Sequence, residues 1–387
     1  MPFAAGGASA YHLRTSLPSP PPLVLIRFVL PVTSKKRFDL TRYYIMASEK
    51  DVFDISGPLH ITSVNWKCSH HRRSVAACLV QGAYVSELDR QHNRKGQEAF
   101  APPWWEFFQF ELSSNLVDDA DSSIFGAIYE FKPASSKDSS VQDAPKFVVA
   151  FRGTIPSKES LAQDGLLDIN IIQNGLHRTP RFAIAMRAVQ NIVSAAKSSN
   201  VWLAGHSLGA AIATLAGKNM AKVGILIETF LFNPPFVSAP IERIKDTNVK
   251  QGIRIASSFI TAGLSFALKD HQERSTPDDS FAMVSSWVPR LFINPCDFIC
   301  SEYIGYFEHR NFMEKLGVGG IERLATQNSI GGLFLRALGK DSDPLHLLPS
   351  ANLTKNLSPS PDFKIAHGLH QWWRPDLHLQ SKQYHYG

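Results

Sequence analysis

Cysteine is scarce in this chain: four occur in 387 residues, too few for a disulfide framework. A reducing compartment is therefore the default, and the cytoplasm is the expected location. No run of 18 or more apolar residues occurs, so no membrane-spanning helix is expected. No internal repeat is visible. Excess charge is also missing from most of the chain. The formal net charge is +6, but residues 1–45 hold six basic side chains (Arg14, Arg27, Lys35, Lys36, Arg37, Arg42) against one acid, Asp39. The rest is close to neutral, which gives no electrostatic case for nucleic acid. What is present is a globular composition, 44% hydrophobic and 19% charged, with ample material for a core.

Residues 1–45 read as a segment apart, rich in Ser, Pro and Arg and poor in acid. They are expected to be a disordered extension, either an organellar transit peptide or sequence upstream of a start at Met46. A transit peptide would move the location to the chloroplast or another organelle. Residues 46–387 are expected to form a single domain.

The stretch Val201–Gly217 (VWLAGHSLGAAIATLAG) organises that domain. An apolar run of strand length leads into Gly205-His206-Ser207-Leu208-Gly209, and an alanine-rich helix start follows. Strand, sharp turn and helix form the context in which G-x-S-x-G marks a nucleophile elbow. The serine sits on a strained turn with its hydroxyl pushed out above the sheet edge. The Leu208 N–H, at the helix N-terminus, is placed to stabilise an oxyanion.

Further along the chain, Asn65-Trp66 and Ser74–Glu87 suggest helices, with His70-His71-Arg72-Arg73 as a solvated N-terminal face. Ile124–Phe131, Phe147–Phe151, Val201–Ala204, Ile227–Phe232 and Leu291–Asn294 read as strands, and Arg181–Lys197 as a helix. Pro102–Phe108 reads as aromatic core, and Ser342–Pro361 as loop. Strand–helix alternation over 124–300 predicts an α/β fold with a mainly parallel sheet flanked by helices.

A serine needs a base to take its proton, and the base needs a carboxylate to hold its tautomer. With the elbow type of serine, the chain order is Ser, acid, His. Asp297, just past the Leu291–Asn294 strand, suits the acid; Asp278, Asp279, Asp341 and Asp343 are the alternatives. His367 and His370 compete for the base. Thr154, after a buried strand, suits the second oxyanion donor. Arg152 is expected to brace a carboxylate or carbonyls. Cys296 and Cys300 are read as packing, since two thiolates make no zinc site. No metal and no organic cofactor is expected.

Phe-Arg-Gly-Thr at 151–154, Gly-His-Ser-Leu-Gly at 205–209, Phe-Asn-Pro-Pro at 232–235 and the strand end at Asp297 together resemble the class 3 (fungal-type) lipase family. His370-Gln-Trp-Trp looks like that family's His-x-aromatic-aromatic ending. The resemblance covers roughly Phe147–Trp373. It is nearest to the plant branch often labelled GDSL esterase/lipase, although no GDSL motif stands here. It implies an α/β-hydrolase fold and hydrolysis of carboxyl esters of acyl lipids. Residue by residue it implies Ser207 as nucleophile, Asp297 as acid, His370 as base, and Thr154 with Leu208 as oxyanion hole. The expected partners are an acyl-lipid or other ester substrate and a transient membrane-surface contact, with no nucleic acid. Alternative readings are a lipase-like scaffold of weak activity, or a phospholipase, galactolipase or thioesterase. A cap insertion is expected at about 236–290. Within it a helix over Ile253–Lys269, with Ile253, Phe259, Ile260, Leu264 and Leu268 on its apolar face, is expected to cover the mouth above Ser207.

Overall fold

The computed structural model describes residues 61, 63–99, 104–133, 141, 143–155, 175–236, 246, 248–258, 279–317, 347–360 and 362–386. The expectations for residues 1–45 lie outside the described residues.

Eight strands form one sheet in chain order: β1 Phe110–Val117, β2 Ile124–Phe131, β3 Phe147–Phe151, β4 Val201–His206, β5 Glu228–Phe232, β6 Arg290–Ile293, β7 Ala351–Asn356 and β8 Leu379–Tyr384. Strands β3 to β7 run parallel. β1, β2 and β8 pair antiparallel at the two margins. The connections between parallel strands carry α2 Pro180–Ala195, α3 Leu208–Lys222, α4 Asp279–Ser286 and α5 Glu302–Lys315. A sheet built strand after strand in one direction puts every right-handed crossover on the same face. That is what is seen: Phe182 of α2, Leu215 of α3, Val284 of α4 and Phe307 of α5 share one core cluster.

The other face is closed by α1, Ser69–Gln91, and by a 3₁₀ turn, Leu369–Trp373, which follows the short helix α6, Phe363–His367. The inner strands are buried on both sides, so they read as unbroken apolar runs, and alternate residues divide between the faces. Leu203 faces the crossover helices, whereas Trp202 and Ala204 face α1. α1 is buried nearly all round, from Arg73 to Asp89. Small residues let it approach closely: a Cβ on Gly82 would stand 2.3 Å from the Tyr129 hydroxyl. A mainly parallel sheet with helices on both faces, and a β4–turn–α3 elbow, is the α/β-hydrolase plan.

The expected strands are present with small shifts at their ends. Strands β1, β7 and β8 were not legible. β1 and β8 are margin strands with mostly exposed, polar side chains, FELSSNLV and LQSKQY, so they lack an apolar signal. β7 lies in the stretch read as loop. The expected helix at Asn65-Trp66 is instead a turn before α1, and Trp66 is buried against Trp202. The expectation of a solvated Arg72-Arg73 face is also corrected. Arg73 is buried and its Nε–H donates to the Trp372 carbonyl at 2.7 Å, while Arg72 pairs with Glu228. Trp105 and Phe108 do enter the core.

In the insert, residues 248–258 are helical, so this helix starts before the expected Ile253. Ile253, the first member of the expected buried stripe, is 41% exposed. Phe259, Ile260, Leu264 and Leu268 lie outside the described residues. The end of the insert packs against the sheet's flank: Val284 and Trp287 join the crossover-face core, and a Cβ on Gly217 of α3 would meet the Trp287 ring at 2.3 Å.

Candidate active site

Ser207 stands between β4 and α3 with φ 54° and ψ −126°, a left-handed value rare for a side chain of this kind. Three glycines make room for it. A Cβ on Gly205 would lie 2.3 Å from the Gly209 carbonyl oxygen, one on Gly209 would lie 2.3 Å from the Phe151 carbonyl oxygen, and one on Gly153 would lie 2.8 Å from Ser207 Cβ. The Ser207 N–H donates to the Phe232 carbonyl at 3.0 Å, tying the elbow to the end of β5. Leu208 opens α3, so its N–H is one of the amides that helix geometry leaves without an intrahelical acceptor, at the positive end of the helix dipole.

Asp297 follows β6 in a turn closed by its own N–H to the Asn294 carbonyl at 3.0 Å. Its carboxylate is fully buried. Oδ2 accepts from His367 Nδ1 at 2.8 Å, from Asn233 Nδ2 at 2.6 Å and from the Cys300 thiol at 3.2 Å, and Oδ1 accepts from the Ile299 N–H at 3.0 Å. Burial alone would raise this carboxyl. The His367 charge, its hydrogen bond and those of Asn233 and Cys300 outweigh burial and hold it below the usual carboxylate range. A buried carboxylate on Nδ1 puts the imidazole proton there and leaves Nε2 of His367 to accept one. The ring is stacked on Phe363 (centroids 5.3 Å apart), which is stacked in turn on Phe298 at 4.4 Å, and it lies 4.9 Å from the His206 ring.

The structure therefore brings Asp297 to His367 and not to His370, and the expectation of His370 beside the acid is corrected. Helix α6 is capped by Asp362, which accepts from the Ile365 N–H at 2.9 Å, and its last residue is His367. Gly368 is extended and starts a new turn, so His370 belongs to a different turn, and its ring folds back over Gly368. Burial and then Arg374 lower its imidazole to about 4. The two tryptophans that follow do anchor this segment, but for His367: Trp372 Nε1–H donates to Asn233 Oδ1 at 2.6 Å, and Asn233 holds Asp297.

Thr154 is exposed just past β3. The N–H before it, that of Gly153, is taken by the Tyr84 hydroxyl at 2.7 Å. Arg152 braces this turn as expected: its Nη1 donates to the Gly153 carbonyl at 2.6 Å, its Nε to the Ile124 carbonyl, and Glu87 stands 3.9 Å away. Of the rival acids, Asp278, Asp341 and Asp343 lie outside the described residues, and Asp279 is the first residue of α4. Cys300 is buried and Cys296 exposed. Among the described residues, no three His, Cys, Asp or Glu side chains converge on a metal position, and no helix is long and apolar enough to cross a membrane. A cavity of about 350 Å³ lined by Arg72, Glu228, Trp287 and Arg290 lies at the opposite, starting edge of the parallel strands, where both guanidiniums pair with Glu228.

Sequence reasoning missed the roles of Asn233, His206, Tyr84 and Gln371. Asn233 had a signal, because an Asn before Pro-Pro at a strand end suits a special backbone, and its φ is 47°. Gln371 donates to the Ala366 carbonyl at 2.6 Å and accepts from Asn294 at 2.8 Å and from Asn356 at 2.9 Å. Nothing local marks Tyr84 or Gln371.

Comparison with known proteins places the chain in a family. A family model described as lipase (class 3) matches residues 148–240, which run from β3 through the elbow to just past β5. A protein named GDSL esterase/lipase from Arabidopsis thaliana is 54% identical over 353 residues, covering 88% of this chain and 100% of the relative. A lipase crystal structure from Rhizopus microsporus var. chinensis aligns with 62% of this chain and 70% of its own at 15% identity, with a TM-score of 0.32. On the family model and the near-full-length relative, the chain belongs to the class 3 lipase family and is a hydrolase of the lipase/esterase type.

Proposed function

We propose that this protein is a serine hydrolase of carboxyl esters of acyl lipids, with Ser207 as nucleophile, His367 as base and Asp297 as the acid that holds the base. The observation that carries the reading is the pairing of the buried Asp297 carboxylate with the half-buried His367, 2.8 Å apart, in the same strand-end region as the elbow serine. In this reading the Ser207 hydroxyl attacks the ester carbonyl while His367 Nε2 takes its proton. The tetrahedral oxyanion is met by the N–H groups of Leu208 and Thr154. His367 returns the proton to the leaving alkoxide, and an acyl-enzyme remains. Water, deprotonated by the same nitrogen, then releases the fatty acid. Asp297 stays ionised throughout, because its carboxyl is held low, and it stabilises the imidazolium form of His367. The lipid part of the reading is supported by the family and by the relative's name.

A fluorophosphonate probe and p-nitrophenyl butyrate test this together. The wild-type chain labels and hydrolyses the ester. Ser207→Ala neither labels nor turns over, with kcat lower by about 10⁴-fold or more. A wild-type chain that folds but neither labels nor hydrolyses would make the protein a lipase-like scaffold instead.

A further inference from the structure

We propose that Tyr84, reaching in from α1, is a positioning residue that acts with His206 to lock together the oxyanion turn, the elbow and the segment bearing the base. The proposal rests on the roles given above to Ser207 and His367.

Three hydrogen bonds form one directed chain. The Gly153 N–H donates to the Tyr84 hydroxyl at 2.7 Å, the Tyr84 hydroxyl meets His206 Nδ1 at 2.8 Å, and His206 Nε2 meets the His367 carbonyl at 2.7 Å. Elementary donor chemistry fixes every polarity. The amide only donates, so the phenol accepts it; the His367 carbonyl only accepts, so neutral His206 carries its proton on Nε2 and its bare Nδ1 takes the phenol proton. The arrangement needs a neutral His206 and a protonated Tyr84. Burial, followed by the His367 charge, lowers the His206 imidazole to about 3, and burial pushes the Tyr84 phenol up to about 12, so both hold their forms around neutrality.

This bridge has two consequences at the reacting centre. Gly153's amide is spoken for, so the donor that the turn offers to an oxyanion is the one at Thr154. His367 is held at both ends, by Asp297 on its ring and by His206 on its carbonyl. There is no slack in the contact: a Cβ on Gly153 would lie 2.7 Å from the Tyr84 hydroxyl and 2.8 Å from Ser207 Cβ. Tyr84 therefore acts through Gly153 and His206. Its influence falls on transition-state geometry and so on kcat, where small displacements are costly.

The test compares wild type, Tyr84→Phe, His206→Asn and the double variant as full chains on p-nitrophenyl butyrate. Far-UV circular dichroism confirms folding, and Ser207→Ala is the control. Each single variant is expected to lower kcat about tenfold or more with KM within about twofold, and to slow fluorophosphonate labelling in step. The double variant is expected to lose little more than the worse single, as members of one chain do. A Tyr84→Phe enzyme with kcat within twofold of wild type, a change confined to KM, or single losses that multiply in the double would each overturn the bridge. If Tyr84→Phe does not fold, His206→Asn answers the same question, because kcat unchanged in that variant also overturns it. Hydrolysis surviving in Ser207→Ala is a different result, which removes the functional reading itself.

Discussion

The two faces of the sheet are closed in different ways. On one face, each crossover helix packs beside the strands it connects, so much of the packing is between neighbouring units of the chain. On the other, α1 and the turn after α6 meet across about three hundred residues of chain, with Arg73 bonded to the Trp372 carbonyl. The first face gives the site its elbow. The second gives it Tyr84, His367 and the Trp372 clamp on Asn233. A face closed by remote segments can form only after both have been made, whereas the crossover face can be assembled as the chain proceeds.

The comparison breaks most visibly at the base. His367→Ala is expected to lower kcat by about 10⁴-fold, while His370→Ala stays within about threefold of wild type, both measured on a soluble ester. The reverse ranking would place the base on the turn that closes the sheet face and not on α6. A second pair weighs the faces against each other. Leu79 of α1 and Leu215 of α3 are both buried, and each Leu→Ala change is expected to cost about 2–5 kcal/mol in denaturant melts. Only Leu79→Ala is also expected to lower kcat in the fraction that remains folded, because α1 carries Tyr84. Equal kcat in the two variants would make the faces equivalent.

The smallest effect is in acid. Burial holds the imidazoles of His206 and His370 down from 6.5 to about 3 and about 4. Between those values the unfolded chain binds protons that the native chain refuses, so stability falls as pH falls from about 6.5 toward 4. The depressed Asp297 carboxyl works in the same direction at lower pH. Tm followed from pH 7 to 4.5 is expected to drop, and to drop less steeply in His370→Asn. An unchanged slope in that variant would mean that His370 titrates alike in both states.

These differences also explain what was legible. The elbow, β3 to β6 and Asp297 depend on patterns a few residues wide, and each could be read from such a window. The choice between His367 and His370 could not, because it turns on where α6 stops and which way Gly368 sends the chain. The aromatic pair after His370 pointed to the segment but not to the histidine that stands beside Asp297: Trp372 reaches past His370 to Asn233, 139 residues away in sequence. β1 and β8 were invisible for another reason. A strand at the margin of a sheet needs its backbone more than its side chains, and these two present mostly polar groups to solvent.

The position of His367 beyond the seventh strand has a consequence for synthesis. A ribosome makes Ser207 and its elbow well before α6, so under the roles proposed above a growing chain carries its nucleophile for some 160 residues without its base. At about 5–20 residues per second, that interval lasts roughly ten to thirty seconds. During it the proposed nucleophile lacks the base that would activate it, and the nascent protein is expected to be silent toward esters. Under the proposed roles, hydrolytic power arrives only when α6 folds onto Asp297.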